Sequence, residues 1–323
     1  MSALPHRVLV TGAAGFLGRA LTDRLRSLDV EVVGVDLVAD PARGIGAGDI
    51  TRPGPWQDAF AGCDAVLHTA ATVSMVAAYD DAWRVNVVGT RHALDAARAG
   101  GVARFVHFSS VAVFGTDYPD GVDESYPVRV SGRSSYADTK VGAEAVALAA
   151  HARGETAVTV VRPGDVYGPG SVWIREPLAL LRARRMLLPN GGRGMFAPVY
   201  VDDLVEGVLR ALTREQAVGE VITLGPSASV PCTDYFGRLA GAIGRRVPTL
   251  PAAVALPAVT ALGATLRRAG VRTEIGPASL DFLNRPGSYS IAKAGAVLDW
   301  QPRTDLDTGM AASLQWARGA GLL

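Results

Sequence analysis

Tyrosine and lysine stand four residues apart twice in this chain, as YADTK at 136–140 and as YSIAK at 289–293. On one helical face such a pair can move a proton, the phenol giving or taking it while an ammonium one turn away favours the phenolate. A free phenol titrates near 10, so work at neutral pH asks for a shift of about 3 units, roughly 4 kcal/mol. One cation about 4 Å away, at an effective dielectric near 20, supplies that order of energy. Lysine occurs nowhere else, and the other thirty of the 32 basic residues are arginine. A compact ammonium donates to hydroxyls at one point where a planar guanidinium needs more room, which suits a lysine kept at 140. Lys293 limits that argument.

The surrounding sequence separates the two pairs. SGRSSYADTKVGAEAVALAAHARG reads as a helix capped by Ser134 or Ser135 and ended at Gly154, placing Tyr136 and Lys140 on one face. Ser290 instead caps the helix that follows Tyr289, leaving that tyrosine outside it. A hydroxyl pair, Ser109 and Ser110, closes a strand upstream of Tyr136, and nothing comparable precedes Tyr289. Ligand crevices in open α/β sheets lie at the carboxyl ends of strands. This selects Tyr136 and Lys140.

The strands that must build such a crevice are continuous apolar runs: 7–11, 31–36, 64–70, 104–110 and 157–163. Helical patterns at 15–28 and 80–100 separate them, the second closed by a glycine pair. The alternation predicts an α/β fold, a doubly wound parallel sheet with helices on both faces. Past Pro163 the rhythm becomes punctuated by proline and glycine, then mostly helical, with one further strand at 220–225. The expected division is a nucleotide unit of 1–165 with 198–226, and a smaller, mostly helical substrate lobe of 166–197 with 227–323.

Between the first strand and first helix, TGAAGFLG places glycines at 12, 15 and 18. Gly12 permits the tight turn, Gly15 lets backbone approach a pyrophosphate, and Gly18 lets helix and strand pack closely. Asp36 ends the second strand 21 residues after Gly15, where its carboxylate accepts from ribose hydroxyls. That carboxylate repels a 2′-phosphate, and Leu37, Val38 and Ala39 bring no cation to offset it. NAD is therefore expected over NADP, with Arg43 the nearest arginine after that acid. Asp49 and Ile50 are candidates for the adenine amine and face.

A formal charge of +1 gives no electrostatic case for nucleic acid. Cys63 and Cys232 are far apart, without a CxxC, and the scattered histidines lack ligand spacing, so neither a disulfide framework nor a metal site is expected. Without a signal peptide pattern, a cytoplasmic enzyme is the expectation. Residues 251–266 carry no charge, yet sixteen helical residues rise only about 24 Å against a bilayer core of about 30 Å. They predict a helix over a binding cleft rather than an integral span, with weak interfacial membrane contact as the alternative.

TGAAGFLG, Asp36, HTAA at 68–71, the VNVVGT run around Asn86, FSSVAVFG, YADTK, VRPGDVYGPG and VYVDDL follow one another as in the extended short-chain dehydrogenase/reductase superfamily. Over about the first 225 residues the chain resembles its epimerase/dehydratase-like branch, 3β-hydroxysteroid dehydrogenase-like members included. The resemblance implies that Tyr136 is the acid/base, that Lys140 binds the ribose and lowers the tyrosine's pKa, and that Ser110 orients the substrate oxygen. It implies cofactor contacts from Gly12, Gly15, Phe16, Leu17, Gly18, Asp36, Asp49, Ile50, Thr69, Ala70, Ala71, Tyr136, Lys140 and Pro163. Asn86 would be a structural or relay residue among them, and a homodimer would form through the helices near 80–100 and 135–153.

Three functions follow as expectations: a dehydrogenase or ketoreductase, a sugar-nucleotide epimerase with retained NAD, and a non-catalytic dinucleotide sensor. A sensor needs only the glycine turn. Dehydratases of the superfamily follow the active-site hydroxyl with an acidic pair, where this chain has Val111 and Ala112. Its sugar-nucleotide epimerases place an arginine four residues before the position of Tyr200, where this chain has Phe196; Arg193 could substitute by a loop shift. Trp173, Leu187, Leu188, Met195 and Pro198 lean apolar. A small-molecule substrate carrying an apolar secondary alcohol or ketone is expected, a 3β-hydroxysteroid being the sharpest guess, with Ser110, Trp173, Met195 and Phe196 as its contacts.

Overall fold

The computed structural model describes residues 4–271, 273–274 and 276–323. Its first elements are β1 (Arg7–Thr11), α1 (Phe16–Arg26), β2 (Glu31–Asp36), β3 (Ile45–Ala47), β4 (Ala65–His68), α2 (Tyr79–Trp83), α3 (Gly89–Ala99), β5 (Arg104–Phe108), α4 (Ser135–Ala152) and β6 (Ala157–Pro163). Then come β7 (Asp165–Tyr167), α5 (Val172–Arg182), β8 (Met195–Phe196), β9 (Pro198–Tyr200), α6 (Val201–Thr213) and β10 (Val221–Leu224). The rest is β11 (Val230–Pro231), α7 (Cys232–Ala242), α8 (Ala252–Arg268), α9 (Pro277–Leu283), α10 (Ala292–Leu298) and α11 (Leu306–Gly319).

Seven parallel strands lie in the order β10-β6-β5-β4-β1-β2-β3. Continuous apolar runs make these strands because both faces are covered. Val8 and Val10 pack on the side of α1 and α6, while Leu9 packs with the α3 and α4 side. The chain reverses direction through the sheet between β1 and β4, so a crevice opens there at their carboxyl ends.

Two expected spans are shorter than the apolar runs suggest. β4 ends at His68 and β5 at Phe108, so 69–71 and Ser109–Ser110 leave the sheet at the crevice. The expected helix over 80–100 contains a wide π turn at Arg84–Val88 between α2 and α3. That extra width frees Asn86 to bond to the chain at Thr72 and to α4.

In the lobe, α5, α7 and α11 close around Tyr167, Phe196, Tyr235 and Phe236. The short pair β7 with β9 joins it to the sheet unit, and β8 pairs with β11 within it. Residues 291–300, expected within the lobe, pack instead with the sheet unit: Ala294, Leu298 and Trp300 join the core beneath α6, and Trp300 Nε1 donates to the Asp203 carbonyl. The expected boundary is crossed there.

Candidate active site

At the end of β1 the chain turns through Gly12 with φ of 70°, where a side chain is strained; a Cβ would also stand 2.8 Å from the Ala70 nitrogen. At Gly18 a Cβ would meet the Gly12 carbonyl at 2.1 Å, so α1 can lie this close to the turn only with glycine. Gly15 is exposed and caps α1 without a side chain, leaving the helix's first N–H groups, over Phe16 and Leu17, open to an anion. Asp36 is held by N–H donors from Ala14 at 2.9 Å and Leu37 at 2.7 Å, so its carboxylate is oriented yet partly exposed. No cation follows it, since Leu37 and Val38 stand exposed and Arg43 is engaged by Asp23.

The opposite wall comes from the chain leaving β4. Thr69 Oγ1 donates to the Thr11 carbonyl at 2.7 Å, bringing Ala70 and Ala71 beside the glycine turn. Thr51 donates twice to Asp49 and holds its carboxyl below the usual range, while buried Ile50 packs against Gly89. Asn86 spends its amide on the protein: Oδ1 accepts from Thr72 N at 2.7 Å, and Nδ2 donates to the Thr72 carbonyl and to Thr139 Oγ1. It braces the crevice wall rather than reaching into it. Pro163 is buried at the carboxyl end of β6.

The two serines after β5 point apart. Ser109 Oγ donates to Glu144, which is buried against Arg162. Ser110 caps a short 3₁₀ turn by accepting from Ala112 N at 3.1 Å, and its hydroxyl faces the Tyr136 phenol closely enough to lower the pKa of that group. Ser134 caps α4, setting Tyr136 and Lys140 one turn apart, the Lys140 ammonium 5.9 Å from the tyrosine ring centre. Lys140 Nζ donates to the Phe108 carbonyl at 2.7 Å. An ammonium has three donors, so others remain for ribose hydroxyls. Burial brings Lys140 down to about 8, and burial also raises the Tyr136 phenol while the nearby Ser110 hydroxyl pulls it back. Without a dinucleotide the net direction at Tyr136 is upward, opposite to the lowering expected from Lys140. His68 lies nearby, buried between Thr11 and Thr90; desolvation drops it to about 3, so it is neutral packing.

The second tyrosine and lysine are held apart. Tyr289 is buried, accepting from the Tyr118 hydroxyl at 2.5 Å and from Arg285 Nη1 at 3.1 Å, while Lys293 pairs with Glu220 at 2.7 Å. Arg285 in turn donates to Asp165 at 2.6 Å, the carboxylate also accepting from Ala197 N.

Beside Ser134 and Ala137 opens a cleft of about 320 Å³. Met75, Phe114, Tyr126 and Phe282 give it apolar walls, and Asp117, Arg129, Arg133 and Asp281 its charges. Of the substrate contacts expected from sequence, Phe196 is corrected: with 0% exposure it lies in the lobe core against Tyr235 and Phe236. Trp173 stands behind the cleft, stacked on Phe282 at 5.5 Å, and Met195 is off its wall with its N–H on the Arg285 carbonyl. Leu188 and Pro198 are buried too. Phe114 lies inside the FSSVAVFG run and was within reach of sequence reading. Phe282 was not, because its partners across the cleft are some 150 residues away.

Residues 8–225 match the model of the NAD dependent epimerase/dehydratase family. A ketoreductase of Stigmatella aurantiaca, named for 4-hydroxy-2-methyl-3-oxo-4-farnesyl-3,4-dihydroquinoline-1-oxide, is 31% identical, covering 96% of each chain. A 3-beta-hydroxysteroid dehydrogenase of Mycolicibacterium neoaurum is 27% identical over 96% of this chain and 91% of its own. MoeE5, solved with UDP-glucose and NAD, superposes with a TM-score of 0.79 at 26% identity, covering 97% of this chain and 99% of its own.

Proposed function

We propose, for a chain that belongs to the NAD-dependent epimerase/dehydratase family, an oxidoreductase that interconverts a secondary alcohol and a ketone on an apolar substrate, with a 3β-hydroxysteroid as the sharpest candidate. NAD is the cofactor, and the glycine turn, open helix end and oriented Asp36 fit it. Bound NAD supplies the hydride acceptor or donor. The protein's own part is to hold the substrate oxygen with Ser110, to move its proton with Tyr136, and to hold ribose and positive charge with Lys140. A phenol raised by burial is protonated at neutral pH, the state that delivers a proton to a ketone oxygen.

The observation that carries the substrate class is the charge of the cleft. Two arginines and two aspartates line it, so it offers no net positive charge to a diphosphate of about two negative charges. The buried cation behind its aromatic walls, Arg285, is already neutralised by Asp165. Arg193, the candidate to replace the missing arginine, bonds Asn190 and is not on the cleft wall. A second reading, sugar-nucleotide epimerisation with retained NAD, is favoured by Arg129, which lines the cleft without a hydrogen-bond or ion-pair partner among the described residues. The sheet unit and lobe divide the work as nucleotide and substrate halves. The π turn, α3 and α4, where Val88, Val141 and Ala149 remain partly exposed, are the surface through which two copies would pair.

The test is incubation with NAD and separate panels of hydroxysteroids, aryl carbinols and UDP-, GDP- or dTDP-sugars. NADH formed only with the apolar panels supports the proposal. Epimerised sugar nucleotide without net NADH overturns it.

A further inference from the structure

One carboxylate on the helix of Tyr136 takes no part in the chemistry proposed above. Glu144 follows Tyr136 and Lys140 at the same four-residue spacing, so the three share one face of α4, and the helix packs on β6 and on the 3₁₀ turn at Val111–Phe114. Glu144 is buried, and it meets equally buried Arg162 of β6 at two points: Oε1 accepts from Nη2 at 2.5 Å and Oε2 from Nε at 3.1 Å. Oε2 also accepts from the Ser109 hydroxyl at 2.8 Å. Arg162 Nη1 has no hydrogen-bond partner among the described residues, and the guanidinium lies with Cζ 4.8 Å from the centre of the Phe114 ring.

Such a pair is a poor device for stability alone. Two charges taken out of water recover little more than they lose, and apolar residues of similar volume often serve as well or better. What this pair holds is one short segment at both ends. Ser109 extends the sheet ladder through its N–H on the Val161 carbonyl, and the chain beyond it carries Ser110 and the Val111–Phe114 turn. Glu144 grips that segment at Ser109, next to the serine given the substrate oxygen, and Arg162 supports it at Phe114, a wall of the cleft.

We propose that Glu144 and Arg162 are positioning residues, which set Ser110 against Tyr136 by anchoring residues 109–114 to the face of α4 that carries the tyrosine. One helix face then fixes both partners, Tyr136 as part of the helix and Ser110 through the hydroxyl of its neighbour. The inference rests on the role proposed for Ser110. Phe114 has a second support, stacked on Tyr289 at 5.6 Å, whereas Ser110 is otherwise braced by its own short turn. Loss of the anchor therefore falls on kcat, through the serine, more than on KM, through the wall.

Removing one charge alone would strand the other, so the test replaces both, Glu144→Leu with Arg162→Met, the methionine keeping a contact with the Phe114 ring. Turnover is measured for wild type, this double variant, Ser110→Ala and the three changes combined, on the substrate that the panels identify. The double variant should bind NAD within a few-fold of wild type and lose kcat by about 10- to 100-fold, with KM raised no more than about three-fold. Ser110→Ala should lose about 10²- to 10³-fold. In the combined variant the anchor has nothing left to position, so its kcat should match that of Ser110→Ala within about three-fold. A double variant with wild-type kcat per NAD-binding site overturns the proposal, since a role in stability alone predicts that result. Losses that multiply also overturn it, since a role through Tyr136 would add to that of the serine.

Should the double variant not fold, Ser109→Ala leaves the ion pair intact and cuts the serine arm alone. It should lose kcat about 10-fold and add no loss to Ser110→Ala, and unchanged kcat overturns the proposal. Crystal structures of wild type and variant with NAD read the same claim without turnover: Ser110 should shift relative to the Tyr136 hydroxyl, and an unmoved serine overturns the anchor. A wild type inert toward every panel defeats the proposed reaction instead, and the two crystal structures still decide the anchor.

Discussion

Tyr136 with Lys140 and Tyr289 with Lys293 share a spacing and differ in nearly everything that spacing does not carry. The first pair rides one helix face at the carboxyl end of β5, with the Ser110 hydroxyl near the phenol and an ammonium whose remaining donors are open. In the second, the phenol is locked between Tyr118 and Arg285, while the lysine lies partly exposed on Glu220. Both tyrosines are raised by burial, so a perturbed titration does not separate them. Position at the crevice does. Chemistry follows from what the phenol can still reach, and Tyr289 has its reach taken up by the fold.

The largest effect that would sharpen this contrast is at Lys140. Lys140→Met should cut turnover by about 10²- to 10⁴-fold and weaken NAD binding, if the ammonium serves both tyrosine and ribose. The same change should stabilise the cofactor-free protein at pH 7, by about 1–3 kcal/mol in a thermal or denaturant melt. The sign follows from burial: with its pKa brought down from 10.5 to about 8, the folded protein carries a disfavoured charge below pH 8, and that cost fades as pH rises toward 10.5. Wild-type affinity for NAD should likewise fall as pH rises through about 8, and the variant should lose that inflection. A Lys140→Met protein that is less stable and equally active would dissolve the distinction between the pairs.

Next in size is the choice of dinucleotide. Asp36, with no cation after it, should favour NAD over NADP by about 100-fold, as a doubly charged phosphate beside a carboxylate costs a few kcal/mol. Competitive titration by nicotinamide fluorescence reads this, and tighter NADP binding would redirect attention to Arg43. Smaller still, Tyr289→Phe should cost about 1–3 kcal/mol of stability by stranding Arg285 and Tyr118, with turnover at permissive temperature within a few-fold of wild type. Least of all, Lys293→Ala should change the melt by at most about 1 kcal/mol, since its ion pair is partly solvated.

The sheet and the nucleotide crevice were legible because local sequence dictates them: buried parallel strands are apolar runs, and Gly12 and Gly18 occupy positions where a side chain is strained or collides. The lobe was not. Its core forms from rings that meet across long separations, as Trp173 meets Phe282 and Arg285 meets Asp165, and periodicity along one segment says nothing of its partner. Phe196 illustrates the loss, an apolar residue near the crevice in sequence that the fold turns into its own core. The structural role expected of Asn86 is the bracing one it plays, while the π turn that carries it leaves no residue pattern by which to expect that turn.

The central claim is that Tyr136 moves the substrate proton and Tyr289 does not. Steady-state turnover of wild type, Tyr136→Phe and Tyr289→Phe, measured side by side on whichever substrate the panels identify and with NAD affinity taken in parallel, tests it most directly. Tyr136→Phe should lose turnover by roughly 10³-fold while NAD affinity stays within a few-fold, and Tyr289→Phe should keep it. Near-normal turnover in Tyr136→Phe together with its loss in folded Tyr289→Phe would contradict the assignment.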